Sequence, residues 1–128
     1  MGMEQTVRYR TTPPAWSVAR DLLAACDYPL QMRMIDGQLA FPADQPPEAW
    51  RELRLGTPQG LITVRREANR LVFVTWGNAE AGLRQAWNAL AWAFAAAGGG
   101  EIETEAGLLT AEEFRRRVEL PPGIALGG

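Results

Sequence analysis

The chain has 128 residues, 47% of them hydrophobic and 22% charged, with a formal charge of −2 and an isoelectric point near 5.2. That is one domain by length, able to bury roughly two-thirds of its unfolded surface, and it excludes disorder throughout and argues against a dedicated nucleic-acid binder, which carries a basic excess. All 13 basic residues are arginine, with no histidine and a single cysteine, Cys26, so the commonest general base and metal ligand, Schiff-base chemistry and an internal disulfide are all missing.

No enzyme, cofactor or metal site is therefore expected. The arginine bias fits a GC-rich bacterial genome, and the lone thiol fits a reducing, cytoplasmic home. There is no apolar leader at the N-terminus, and the longest apolar run, Ala89 to Ala97, falls well short of the roughly 20 residues a membrane helix needs. Met1-Gly2 with Thr6 matches the myristoylation pattern formally, a chance match in a bacterial chain.

Thr6 to Arg10 alternates polar residues with Val7 and Tyr9, and reads as a short strand. Thr12-Pro13 then offers an N-cap and a proline for the first turn of a helix over about 13 to 27, whose apolar stripe is Ala15, Ala19, Leu22, Leu23 and Cys26. Cys26 on that stripe is a small buried hydrophobe rather than a reactive thiol, since no cation is in evidence beside it. From Tyr28 to Met34 strict alternation puts Tyr28, Leu30, Met32 and Met34 on one face. Asp36-Gly37 is a hairpin turn that returns the chain through Leu39 and Phe41.

The prolines between 42 and 47 make a stiff connection, and Pro46-Pro47-Glu48 opens a short helix ending near Gly56, with Trp50 and Leu53 one turn apart and Trp50 lidding the core. Leu61 to Arg66 and Leu71 to Trp76 form a second hairpin, its turn relying on Asn69 for a left-handed residue. Both faces of Leu71 to Trp76 are apolar, so this strand belongs at the centre of the sheet.

After a Gly77-Asn78 break, with Asn78 as N-cap, residues 79 to 97 carry Leu83, Trp87, Leu90 and Phe94 in one stripe at about 100° per residue, and Gly98 to Gly100 stop the helix. Trp92 falls opposite that stripe, among Ala89, Ala96, Gln85 and Asn88. Small residues around an exposed aromatic admit a second helix closely, so Trp92, Ala89 and Ala96 are the candidate interface of a homodimer. Glu101 to Glu105 reads as an acidic edge strand, and Thr110 to Glu113 as a capping box opening a short helix through Arg117.

The fold expected is α+β: a two-layer sandwich in which a mostly antiparallel sheet of two hairpins carries the two main helices on one face. Residues 1–120 make the domain, and 121–128 a flexible Pro/Gly tail.

Two surfaces compete for function. Arg8, Arg10, Arg33, Arg65 and Arg66 come from strands and define a candidate anion-binding face for a small anionic ligand or single-stranded nucleic acid. Paired with the sheet's glutamates, the same arginines are only a solvated face, the reading the slightly negative net charge favours. The acids are too scattered for paired-carboxylate catalysis. What remains is a non-enzymatic protein-interaction module, chaperone-like or adaptor-like, acting as a homodimer with a protein partner.

Leu126-Gly127-Gly128 is similar to the diglycine ends of ubiquitin-like and sulfur-carrier proteins, which have a different order of strands and helices. Small size, acidic isoelectric point and element order also resemble the compact dimeric chaperones of bacterial secretion systems. That resemblance implies a partner-binding dimer, but it rests on no motif and assigns no residue.

Overall fold

The computed structural model describes residues 2–76 and 80–125. The Gly77-Asn78 break, the Asn78 cap and Leu126-Gly127-Gly128 lie outside them. The described chain is α+β, with a single antiparallel sheet of eight strands in the order β3-β2-β4-β5-β6-β1-β7-β8 and four helices. The strands are β1 Gly2–Arg8, β2 Gln31–Ile35, β3 Gln38–Leu39, β4 Glu52–Thr57, β5 Gly60–Glu67, β6 Arg70–Trp76, β7 Glu101–Thr104 and β8 Gly107–Thr110. The helices are α1 Trp16–Ala25, α2 Ala81–Gly98, α3 Ala111–Arg117 and the single turn α4 Pro122–Ala125.

The sheet is larger than expected because the stretch expected to be a helix before Gly56 is strand β4 and Gly107–Thr110 adds β8. Leu53 and Leu55 alternate with Glu52 and Arg54, and both leucines are fully buried, opposite Val64 and Ile62 of β5. Trp50 is buried as expected. β6 is interior, between β5 and β1, with Leu71 and Phe73 fully buried. β7 is interior too, and the edge falls to β8 instead of the acidic strand.

The alternation expected through Met34 breaks at a bulge. Met32 pairs with Leu55, but Met34 then pairs with Arg54 and Ile35 with Leu53, so Ile35 takes the core side and Met34 the other. Asp36 and Gly37 both have positive φ, as the two-residue turn requires. In the β5–β6 turn the left-handed residue is Ala68 at φ 54°, not Asn69. Asn69 instead donates its side-chain amide to the Tyr9 carbonyl at 2.7 Å.

α2 lies against β5, β6, β1 and β7, and both α1 and α3 pack on α2. A helix with that many neighbours is apolar nearly all round: Ala86, Ala89, Leu90, Ala91, Ala93, Phe94 and Ala95 are all fully buried. Gly99 closes it in the left-handed conformation, and its N–H and that of Gly100 both reach the Ala95 carbonyl. α3 opens on the expected capping box, with Thr110 and Glu113 each accepting a backbone N–H of the other. α1 starts later than expected, without a side-chain cap, and buries Trp16. Packing continues past residue 120, since Ile124 in α4 is 1% exposed.

Candidate functional site

A groove of about 880 Å³ opens between α2, α3 and the turn joining β7 to β8. Trp87 comes from α2, Phe114 and Val118 from the capping-box helix and its end, and Leu109 from β8. Trp87 is fixed by its indole N–H, which donates to the Phe73 carbonyl at 2.8 Å. Phe114 is fully buried and Leu109 nearly so, which makes the groove's walls part of the core.

Two carboxamides form its polar floor. Gln5 of β1 donates Nε2 to Asn88 Oδ1 at 3.2 Å, and Asn88 donates Nδ2 to the Glu119 carbonyl at 2.9 Å. Both residues are 9% exposed. A buried amide must be partnered, and this relay fixes the orientation of both side chains. It leaves Gln5 Oε1 an acceptor with no donor among the described residues. The sequence signal for this pair is modest: a glutamine in β1 facing inward and an asparagine within an alanine-rich helix. Counting periodicity put Asn88 on the outward side with Trp92.

The charged residues at the groove divide evenly once their partners are counted. Glu4 pairs with Arg65 at 2.7 Å and Glu103 with Arg8, leaving Glu105 and Glu119 against Arg84 and Arg117. The acids of α3 have structural duties. Glu112 bonds Arg115 at 2.9 Å, and Glu113 completes the capping box, so the carboxyls of both are held below the usual range by those hydrogen bonds. Neither is a proton donor at neutral pH. Among the described residues no three potential metal ligands come together.

The candidate arginines do not converge. Arg8 and Arg65 form the cross-strand ion pairs just named. Arg66 lies over the Trp50 ring at 4.7 Å from its centroid and donates to the Glu48 carbonyl. Arg33 is exposed on β2, its side chain lying along the backbone of Gly56, and Arg10 is exposed beyond the end of β1. Glutamates therefore stand beside two of the five, Glu103 at Arg8 and Glu4 at Arg65.

Of the three interface candidates, Trp92 is half-buried against the core, Ala96 is exposed and Ala89 is fully buried. Ala89 is unavailable to a second chain because packing within the chain already covers it. Cys26 is half-buried, against the same core.

No described helix is long and apolar enough to cross a membrane. No protein-family model, curated protein or solved structure matches this chain.

Proposed function

We propose that the protein is a non-enzymatic interaction module whose groove between α2, α3 and the β7–β8 turn receives a protein partner. The observation that carries this reading is the groove's composition: aromatic and aliphatic walls around two oriented amides, with its acids and bases balanced or already paired. Apolar walls with few fixed polar groups are what a recognition site needs.

Ala106 and Val118 border the groove without belonging to the fully buried core, so they can be altered without emptying it. A photo-crosslinking residue at 106 should capture a specific protein partner from the native host, and capture should fail in Val118→Arg. A crosslinker at Leu61, which is 50% exposed on β5, is the control. Equal capture from positions 61 and 106, or undiminished capture in Val118→Arg, would show that the groove is not the binding surface.

A further inference from the structure

The conformation of the bound segment follows from how β1 is paired, an inference that rests on reading the groove as a protein-binding site. β1 pairs with β6 along its whole length, from Gly2 opposite Trp76 to Arg8 opposite Arg70. On its other side it pairs with β7 only at Val7 and Arg8. In an antiparallel ladder successive residues aim their N–H and C=O to opposite sides. Tyr9 N–H donates to the Asn69 carbonyl at 2.9 Å, continuing the β6 register. Tyr9 and every second residue before it therefore bond toward β6, whereas Arg8, Thr6 and Glu4 bond toward β7.

Arg8 meets Glu101 there. Glu4 has no strand beside it among the described residues, because the β7–β8 hairpin has turned away at Glu105-Ala106 and the groove occupies the gap. An unpaired N–H and C=O next to an apolar groove is the geometry that accepts an added strand. On the core side of that gap, Gln5 Oε1 accepts from no described residue, and Trp87, Leu109 and Val118 offer apolar contact. With Glu4 and Glu103 committed to arginines, and Glu105 and Glu119 balanced by Arg84 and Arg117, the groove asks for no net charge.

We propose that the groove binds an uncharged extended peptide segment as an additional strand against Glu4. Its backbone bonds the Glu4 N–H and C=O, one apolar side chain seats against Trp87 and Val118, and an amide or hydroxyl donor two residues away meets Gln5 Oε1. Two residues is the spacing at which a strand returns side chains to the same face.

The probes are capped hexapeptides alternating valine or leucine with threonine, asparagine or glutamine, read by the amide resonances of the labelled protein. Binding should shift and protect the Glu4 amide. N-methylation of alternate peptide amides should weaken binding at least about tenfold in one register and leave it unchanged in the other, since only one set of amides faces β1. Glu4→Pro, which removes the N–H aimed at the gap, should lose binding, whereas Glu4→Ala should retain it. If Glu4→Pro does not fold, the N-methyl pair decides alone. Equal tolerance of both methylation registers, or no binding by any hexapeptide at millimolar concentration, overturns the strand-addition proposal. The broader reading fails separately, if capture of the native partner ignores Val118→Arg.

Discussion

The phenol of Tyr9 donates to the backbone carbonyl of Phe94 at 2.7 Å, tying the end of β1 to the last turns of α2. The bond lies inside the core, and burial pushes the phenol's pKa far up, so it remains a neutral donor at any physiological pH. Tyr9→Phe should cost about 1 kcal/mol in denaturant unfolding, the worth of one buried hydrogen bond with its acceptor left behind. The same ring explains two glycines. A Cβ at Gly98 or at Gly100 would lie 2.7 Å from Tyr9 Cε1, so either glycine changed to alanine should cost about 1–3 kcal/mol through overpacking. A loss below the error of the melt in both would show that the contact relaxes freely.

The Asp36 carboxylate accepts the backbone N–H groups of Arg51 and Glu52 at 2.8 and 2.9 Å, fastening the β2–β3 turn to the start of β4. Those two bonds, that of Glu52 foremost, lower its pKa from the usual aspartate value. A carboxyl depressed in the folded state adds stability that is fully present above its unfolded pKa and is lost as the pH falls through the folded one. Thermal melts taken across the acid range should therefore decline less steeply in Asp36→Ala than in wild type. Parallel curves would remove Asp36 from the acid response.

Ala68 holds a positive φ of 54° without the freedom of glycine. Ala68→Gly relieves that strain while loosening the unfolded chain, and the net should be a gain of about 0.5–1 kcal/mol. A destabilised variant would mean that the alanine methyl makes a favourable contact outweighing the strain.

How far these features could be read in advance depends on how local their causes are. The capping box at Thr110 and the helix stop at Gly99 are set by neighbours within one turn, and both were legible. The bulge after Met32 was not, because what turns Ile35 inward is its register against Leu53 on a strand 18 positions away. β4 was hidden by competing periods: Trp50 and Leu53 are spaced as on a helix, but Leu53 and Leu55 alternate as on a strand, and pairing between β2 and β5 decided for the strand. Periodicity places Ala89 and Asn88 on an outward surface because it locates a single apolar stripe, whereas α2 is packed on by the sheet, α1 and α3 together. The groove itself depends on where two partners separate, and no single segment encodes that.

With Ala89 buried, a homodimer built on α2 has Trp92 and Ala96 left to use. Sedimentation tests that version directly: wild type should associate as concentration rises, and Trp92→Ala should lose the association. Because Trp92 also touches the core, the variant should unfold about 1–2 kcal/mol more easily. A wild type that stays monomeric ends the proposal.

The arginine face makes the opposite kind of prediction. With Arg8 and Arg65 paired and Arg66 stacked on Trp50, single-stranded oligonucleotides should bind no better to wild type than to Arg33→Ala combined with Arg65→Ala. Tight binding to wild type that weakens steeply with salt, and is lost in the double variant, would favour the anion-binding reading instead.

β1 precedes the other seven described strands in chain order, yet it sits between β6 and β7 and joins the β2–β6 half of the sheet to the β7–β8 hairpin. Until Arg70–Trp76 has formed its own hairpin, β1 has no partner, and until β1 is seated, β7 and β8 have nothing to add to. The sheet therefore closes late and over long sequence separations, which slows folding. A chain lacking residues 2–10 should fold incompletely, and a synthetic peptide of those residues should restore it by slotting into the vacant middle of the sheet.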